Sequence, residues 1–417
     1  MHAFCAAFGV VVLGTGLVDV FLTALNYDGA GFIAVRLCGL QWYCFRGLAR
    51  HLPRRWRMLV LRQVLGLIIV LNMTFWLGTV VIGYGLVYYS QMHGMNFQYS
   101  GQNLGPGLFS AMYFSAAQLA TVGTSQISPE TDVLRAVSIM ETITGLGLIT
   151  LILTFLFGVY QVVHDLRALA ANFDTAEHGL DHPLASLGPY FAQSELSCLD
   201  NELRSISANF WSYTDGLRQH PLAYYFQSGK DQFSLPYVLH MLSEWIAALR
   251  WGLPSEHPIT VQPVVTRLAF QFEQFADRLQ AQLGWTDTVL PDVVPYECFL
   301  AAYHAGEAIS DQWLGRFLLL DRDMQQLARR DHPDKSREVY QRYQLWLPFA
   351  WRADQTTAAV SGDLDFRSLM RGLNSSDQVN YIAASSWSEF GIKQPRSGKL
   401  HHAVTTHHGT AEKLHEY

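Results

Sequence analysis

Charge is scarce in this chain of 417 residues. Lys, Arg, Asp and Glu together make up 15% of it, whereas an ordinary soluble protein carries about 25%. The formal net charge of −6 does not favour a nucleic-acid-binding protein, which would be basic. Five cysteines are too few for a disulfide scaffold of this length. Because hydrophobic residues reach 50%, a disordered polymer and a coiled-coil rod are also excluded.

The shortage of charge is concentrated in the first part of the chain. Residues 1–163 hold eight arginines, no lysine and five acidic residues, whereas residues 164–417 hold the other 21 basic and 30 acidic residues. Apolar stretches at about 3–25, 64–89 and 133–163 are long enough to cross a bilayer core, which takes about 20 helical residues. A signal peptide is the alternative for the first stretch, but the basic n-region and the A-x-A cleavage site are missing.

The arginines set the predicted orientation. Seven of them lie between the first two apolar stretches, whereas residues 90–107 contain no charged residue. Since basic residues are retained on the cytoplasmic side, residues 27–62 are predicted to be cytoplasmic. The N-terminus then lies outside and the long C-terminal part lies in the cytoplasm. The pattern predicts a multi-pass protein of the plasma (inner) membrane.

The cytoplasmic segment at residues 28–62 mixes aromatic and aliphatic side chains with its arginines. This pattern is typical of a helix that lies in the membrane interface and reaches anionic headgroups with its cationic side chains. We therefore predict membrane lipids, anionic ones among them, as partners, and no nucleic acid. A loop packed on the cytoplasmic domain is the alternative.

Residues 105–129, between the second and third apolar stretches, are too short and too polar to span a bilayer. They open with Gly105-Pro106-Gly107, a turn followed by a helix start. A pore helix is predicted at 108–120, and a polar segment at 121–125 follows it. Non-helical backbone at membrane depth persists only where it is buried in protein or lines a water-filled path. The segment therefore predicts a pore loop.

Short motifs recur at characteristic spacings here, namely Tyr113-Phe114-Ser115, Thr121-Val122-Gly123, Ile127-Ser128-Pro129 and Gly145. Together they resemble the pore module of the tetrameric potassium-channel superfamily, which consists of an outer helix, a pore helix, a filter and an inner helix. A more distant likeness to bacterial ion channel family proteins, with an extra N-terminal helix and a helical cytoplasmic domain, rests on two further motifs, Val18-Asp19-Val20-Phe21 and His220-Pro221-Leu222-Ala223-Tyr224-Tyr225-Phe226.

The resemblance implies a homotetrameric cation channel with K⁺, or Na⁺, as the permeant ion and with no cofactor or bound metal. The expected fold is an all-α membrane protein with three transmembrane helices per subunit, a re-entrant pore helix and filter, and an all-α cytoplasmic domain. The expected segments are a first transmembrane helix at 1–27, a pore module at 63–163, a helical cytoplasmic domain at 164–355 and a polar, partly disordered tail at 356–417. Within the pore module, the outer helix is expected at 64–89 and the inner helix at 133–163.

The outer end of the filter departs from the usual T-V-G-Y-G-D pattern. By resemblance, the backbone carbonyls of Thr121, Val122 and Gly123 would form inner coordination sites for a cation. Thr124 and Ser125 replace the tyrosine and the second glycine, and Gln126 replaces the aspartate. A serine resists a positive φ by roughly 1 kcal/mol. We expect weak discrimination between K⁺ and Na⁺, or no spontaneous conduction; a non-conducting sensor or scaffold with the same architecture is the alternative.

Two further groups of residues are candidates for the ion pathway. Glu130 and Asp132 follow the filter and would concentrate cations at the outer mouth, unless they are only solvated loop residues. Large apolar side chains that recur at helical spacing on the inner helix would face the axis and gate it by dewetting, or would pack on neighbouring helices. This gating stripe consists of Gly145, Ile149, Leu153 and Phe157.

Asp19 and Glu141 fall inside predicted spans, where a carboxylate is costly and faces protein or water. One hypothesis makes them a proton or cation relay. The favoured one is structural, with each carboxylate hydrogen-bonded to a neighbour or an arginine.

The cytoplasmic part predicts helices at 194–219, 235–251, 262–283, 294–330 and 336–347. No dinucleotide-binding glycine motif and no H-E-x-x-H pair occurs, so we do not expect an enzyme. His220, before Pro221, is expected at the surface. The tail histidines at 401, 402, 407 and 408 are interpreted as part of a polar tail and not as a metal site.

Overall fold

The structure is a computed structural model that describes residues 2–25, 31–92, 96–100, 105–173, 183–192, 197–228, 230–286, 289–305, 311–328 and 335–365. Two compact units make up the chain. The membrane unit consists of Met1–Arg167 with Trp211–Gly229, and the C-terminal unit consists of Ala168–Phe210 with Lys230–Tyr417. The tail from 366 onward, including its histidines, lies outside the described residues.

Five helices form most of the membrane unit: α1 (His2–Leu25), α2 (Phe32–His51), α3 (Arg54–Gln91), α4 (Leu108–Leu119) and α5 (Asp132–Ala171), whose last turn lies in the C-terminal unit. Among the described residues, three segments are long and apolar enough to cross a membrane, namely His2–Leu25, Leu59–Gln91 and Asp132–Ala171. The predicted fold class, a largely all-α membrane protein, is therefore confirmed.

Pro53 separates α2 from α3. Leu52 is extended, with φ −88° and ψ 149°, as the residue before a proline usually is. The segment predicted as one interfacial helix at 28–62 therefore comprises α2 and the first turns of α3. Arg62 consequently lies on the outer helix and not on the interfacial one.

Helix α1 lies along α3 through an interface of glycines. A Cβ added at Gly9 would come within 2.7 Å of the carbonyl oxygen of Gly83, and one added at Gly83 within 2.8 Å of the Cβ of Leu13. A Cβ at Gly16 would meet Thr79 at 2.6 Å. Small residues at such positions let membrane helices approach closely, so α1 is packed directly onto the outer helix.

Two short strands connect the two loops that flank α4. Strands β1 (Phe97–Tyr99) and β2 (Ile127–Pro129) pair antiparallel, with Gln98 opposite Ser128. The Ser100 amide donates to the Gln126 carbonyl and the Glu130 amide donates to the Asn96 carbonyl, each at 2.9 Å. The pair ties the chain that enters the pore segment to the chain that leaves it.

The C-terminal unit is helical among its described residues. Its helices are α6 (Gly188–Ala192), α7 (Ser197–Gln219, shared with the membrane unit), α8 (Leu235–Trp251), α9 (Pro263–Leu283), α10 (Tyr296–Ala305), α11 (Gln312–Leu327) and α12 (Ser336–Asp363). Every residue of α8 except Arg250 is buried, which is typical of a helix at the centre of a core. Within this core, Arg316 of α11 forms ion pairs with Glu244 of α8 and Asp354 of α12.

Two predicted boundaries differ in this unit. The helix predicted at 294–330 is two helices, α10 and α11, with residues 306–310 between them outside the described part. Helix α12 continues to Asp363, beyond the predicted start of the polar tail at 356. The extra turns are rich in small polar residues, and Thr356, Thr357 and Ser361 are buried. The polar composition of these turns therefore gives no sign of the buried helical face that they form.

Candidate functional site

Helix α4 and the four residues after it form the candidate pore segment. The helix begins after Gly107, and its Ser110 hydroxyl donates to the Gly105 carbonyl at 2.8 Å. It ends at Leu119, one residue before the predicted end at 120. A helix followed by a non-helical return, placed in sequence between two helices apolar enough to span, is the arrangement expected of a pore loop.

The start of the filter is hydrogen-bonded to the last turn of α4. The amides of Val122 and Gly123 both donate to the carbonyl of Ala117 at 3.0 Å, and the Thr121 amide donates to Gln118 at 2.9 Å. Thr121 and Gly123 have φ of 60° and 69°, while Val122 between them stays outside this region. Gly123 adopts a positive φ at little cost because it has no Cβ. Thr121 also has a positive φ, which costs conformational energy for a threonine but little for a glycine.

The outer end of the segment is arranged differently. The Thr124 hydroxyl donates to the carbonyl of Ile127 at 3.0 Å, so it closes a local turn. Ser125 and Gln126 are exposed, and Ser125 does not adopt a positive φ, in keeping with the penalty for a serine there. The Gln126 carbonyl accepts from Ser100, which joins this end to the β1–β2 pair.

The predicted outer-mouth carboxylates are both exposed. Asp132, the first residue of α5, pairs with Arg135 at 3.3 Å. Arg135 also donates to the Pro129 carbonyl at 3.1 Å, so the guanidinium offsets part of the negative charge at this end. Glu130 contributes its backbone amide to the strand pair and leaves its side chain exposed.

On the inner helix, the residues of the gating stripe divide into two classes. Gly145 is buried because the Leu119 carbonyl of α4 occupies the space that a Cβ would need. Ile149, Leu153 and Phe157 are exposed, and thus remain uncovered by the rest of the chain. The glycine therefore allows a close helix approach, whereas the three apolar side chains form an open face.

Glu141 joins three helices. Its side chain is fully buried, and its two oxygens accept from the Ser115 hydroxyl of α4 at 2.5 Å and from the Tyr88 hydroxyl of α3 at 2.7 Å. Ser115 is also within 3.1 Å of the Val81 carbonyl on α3. Both oxygens of this intramembrane carboxylate are used by neighbouring helices.

Asp19, the second carboxylate predicted inside a span, is buried on α1 and lies near the start of α2. Its oxygens accept from the Ile33 amide at 2.9 Å and from the Trp76 indole at 3.1 Å. The Thr23 hydroxyl accepts from the Gly31 amide at 3.1 Å. The carboxylate therefore binds one of the free amides at the beginning of α2, and its bond to Trp76 attaches that end to α3.

His220 is half-buried, and thus less exposed than predicted, at the end of α7. Its ring packs edge-on against Phe155 of α5 at 5.8 Å and fills the space beside Gly158. Burial lowers the pKa of the imidazole. The 3₁₀ turn Pro221–Tyr225 that follows places Tyr225 against Trp42 of α2, with ring centroids 5.2 Å apart.

Residues 75–161 match the model of a family described as Ion channel. The match begins in α3, includes all of α4 and the filter, and ends in α5. The chain is also 24% identical over 251 residues, 60% of its length, to the "Uncharacterized membrane protein YdjJ" of Bacillus subtilis (strain 168), of which the alignment covers 70%. No solved structure matches the chain. The family match thus indicates an ion-channel-like segment at residues 75–161, and the relative is a membrane protein.

Several residues of the ion-channel segment escaped the sequence reasoning. The partners of Glu141, namely Ser115 and Tyr88, are separated from it by 26 and 53 positions, so no local pattern connects them. In the sequence, Ser115 stands out only as part of the motif Tyr113-Phe114-Ser115. The signal that could have found them is the buried carboxylate itself, since it requires donors from adjacent helices.

Proposed function

We propose that the protein is a homotetrameric, potassium-channel-like cation channel of the plasma membrane, with an atypical filter that discriminates weakly between K⁺ and Na⁺. Four copies of residues 121–125 would surround one axis, and their backbone carbonyls would replace water around a dehydrated cation. The N-terminus lies outside and the C-terminal unit lies in the cytoplasm. No covalent chemistry and no cofactor is required.

The single observation that carries the proposal is the backbone of the filter start. Thr121 and Gly123 alternate with Val122 in handedness while the amides of Val122 and Gly123 point back at Ala117. With its amides bonded to the same chain, the segment keeps its carbonyls for another ligand. Val122 is 80% exposed, which leaves room for neighbouring copies around it.

We expect weak selectivity between K⁺ and Na⁺ because of the way the outer end of the filter is bonded. Thr124 bonds forward to Ile127, so its side chain does not brace the filter against α4. A filter held firmly only at its inner half can adjust its outer sites to ions of different size. The ordered inner half then supplies cation binding, and the outer half supplies little size discrimination.

The proposal is tested by cation flux into liposomes that contain the purified full-length chain. Wild-type protein is expected to carry both K⁺ and Na⁺, with a reversal potential between those of the two ions. Gly123→Ala is expected to reduce flux at least about tenfold because alanine costs about 1–2 kcal/mol at positive φ. Measurement under opposed K⁺ and Na⁺ gradients separates selectivity from rate.

Gly284→Ala is the matched control. Gly284 has the same φ of 69°, and an added Cβ would have nothing within 4 Å at either glycine. It ends α9 in the C-terminal unit, so the same backbone penalty falls outside the filter and flux should persist. Equal losses in both variants, or a strictly potassium-selective potential in wild type, would contradict the proposal.

The alternative function is a membrane sensor or scaffold that retains the pore architecture without conducting. The observation in its favour is the replaced outer end, Thr124-Ser125-Gln126. The liposome assay distinguishes the two functions directly: a correctly assembled tetramer with no cation flux under any gradient would support the scaffold.

A further inference from the structure

The Glu141 carboxylate is fully buried on a helix that is apolar enough to span a membrane. A carboxylate in that setting requires hydrogen-bond donors from its neighbours. Glu141 has two, and they come from different helices, α4 and α3.

Ser115 connects Glu141 to the filter over a very short path. It lies two positions before Ala117 on α4, and the Ala117 carbonyl accepts the amides of both Val122 and Gly123 at 3.0 Å. Since an α-helix is stiff over a single turn, the position of the Ser115 hydroxyl fixes that of the Ala117 carbonyl. The filter start therefore follows any displacement of Ser115.

The contact between α4 and α5 extends one helical turn beyond Glu141. Gly145, four residues later on α5, lies against the Leu119 carbonyl at the end of α4. Thr142 lies between them and its hydroxyl reaches the Gln118 carbonyl at 3.5 Å. The side chain of Glu141 makes the shorter polar bond in this contact, because its bond to Ser115 is 2.5 Å long whereas that of Thr142 to Gln118 is 3.5 Å long.

We infer that Glu141 is a positioning residue for the filter. Through Ser115 it locks α4 against the inner helix, so that movement of α5 changes the backbone at residues 121–123. The inference rests on the proposed function, since it assigns the regulation of the same site. A movement of the inner helix would thus reach the filter, and alter its ion selectivity, through Glu141.

Tyr88 supplies a matched control for Ser115. Its hydroxyl donates to the other oxygen of the same carboxylate at 2.7 Å, but it belongs to α3. The ring packs against Phe114 and Phe97, and Tyr88→Phe keeps those contacts. Ser115→Ala and Tyr88→Phe therefore each remove one hydroxyl donor from Glu141, and only the first removes the link through α4.

The first experiment measures amide hydrogen exchange in the full-length protein reconstituted in nanodiscs. Ser115→Ala is expected to speed exchange at the amides of Val122 and Gly123 about fivefold, the effect on local opening of one lost hydrogen bond worth about 1 kcal/mol. Tyr88→Phe should leave these amides at the wild-type rate. Unchanged exchange in Ser115→Ala, or equal acceleration in both variants, would overturn the inference.

The second experiment measures the K⁺/Na⁺ permeability ratio. Ser115→Ala should shift this permeability ratio, whereas Tyr88→Phe should leave it unchanged. Glu141→Gln should also keep the ratio near that of wild type. The reason is that the amide oxygen of glutamine still accepts from Ser115 while its amide nitrogen donates to the Tyr88 oxygen. A shifted ratio in Tyr88→Phe alone would count against the inference. A wild-type protein that carries no cations would refute the proposed function, whereas the exchange measurement would still decide the role of Glu141.

Discussion

At the scale of the residue, buried titratable groups link the protein to the pH of its surroundings. His240 lies on α8 and is 7% exposed. Burial lowers the pKa of its imidazole, while Glu244, one turn further on, raises it and Arg316 lowers it. Desolvation has the largest effect, so the folded C-terminal unit favours the neutral ring.

The stability of the C-terminal unit should therefore decrease in acid. Because the folded pKa lies below the unfolded value of about 6.5, the unfolded chain binds the proton first. His240 therefore makes its full contribution to the free energy of unfolding above about pH 6.5. Below that pH the contribution falls by up to about 1.4 kcal/mol per pH unit, until the folded pKa is reached. Thermal unfolding of wild type and His240→Gln from neutral to mildly acidic pH should show a shallower dependence in the variant.

His304→Gln is the control for this titration. His304 is exposed on α10 and its replacement should leave the slope unchanged. Parallel pH profiles for wild type and His240→Gln would show that the neutral state of this ring is not coupled to folding.

The filter shows how far single residues can be predicted. Thr121-Val122-Gly123 is the motif from which the filter is predicted, and Gly123 has the positive φ that a glycine adopts readily. The left-handed Thr121 has no such signal, because a β-branched residue normally avoids that region. The sequence also contains nothing that ties Glu141 to Ser115, since three packed helices bring them together.

At the scale of the element, the extra helix α1 depends on small residues. Its contact with α3 is formed where Gly9, Gly16 and Gly83 leave no room for a Cβ. Helix association inside a bilayer depends on such packing, since lipid offers no hydrophobic driving force between helices. The glycines are thus the reason that α1 and the outer helix form one layer.

Gly83→Ala should weaken this layer. The new Cβ would lie within 2.8 Å of Leu13, and overpacking of that kind typically costs about 1–3 kcal/mol. We expect a lower thermal unfolding midpoint for the membrane unit in detergent. Gly78→Ala on the same helix is the control, because its Cβ would meet nothing within 4 Å; an equal decrease in both variants would contradict the role of close packing.

Helices flanked by turn signals were easier to predict than the points at which neighbouring helices divide. The pore helix and α8 match the predicted ranges to within a residue because turn signals flank both. Pro53 carried the signal that divides α2 from α3, but the arginines on both sides concealed it. The β1–β2 pair could not be predicted, since three residues are too few to show an alternating pattern.

At the scale of the whole molecule, most arginines of the membrane unit lie in one segment of the chain, residues 36–62. Residues 29–129 contain no acidic residue, and all seven arginines of this stretch lie between 36 and 62. Helix α2 exposes Leu40, Tyr43 and Leu48, while Arg36 and Arg50 are also exposed on it. An exposed apolar face beside cations suits the headgroup region of an anionic bilayer, which supports our proposal of lipid partners.

Arg36→Gln with Arg50→Gln should weaken the dependence of the channel on anionic lipid. Each basic residue near such a surface contributes about 1 kcal/mol, so binding of fluorescent phosphatidylglycerol should fall about tenfold or more. The pair Arg267→Gln and Arg337→Gln removes the same charge from exposed positions of the C-terminal unit and should leave binding intact. If both double variants bind alike, α2 is not the lipid-binding surface.

The membrane unit is discontinuous along the chain, and this sets an order for its synthesis. Trp211–Gly229 returns to it after the C-terminal unit has begun, and there Ser212 bonds Asp165 at 2.8 Å while Tyr225 covers Trp42. Domains generally fold as they leave the ribosome, yet the contacts of Asp165 and Trp42 can form only after this later segment has been made. A polypeptide released at residue 170 would contain the whole ion-channel match and would lack these partners. A gene shortened to that match would therefore encode its residues without the contacts that the full chain gives them.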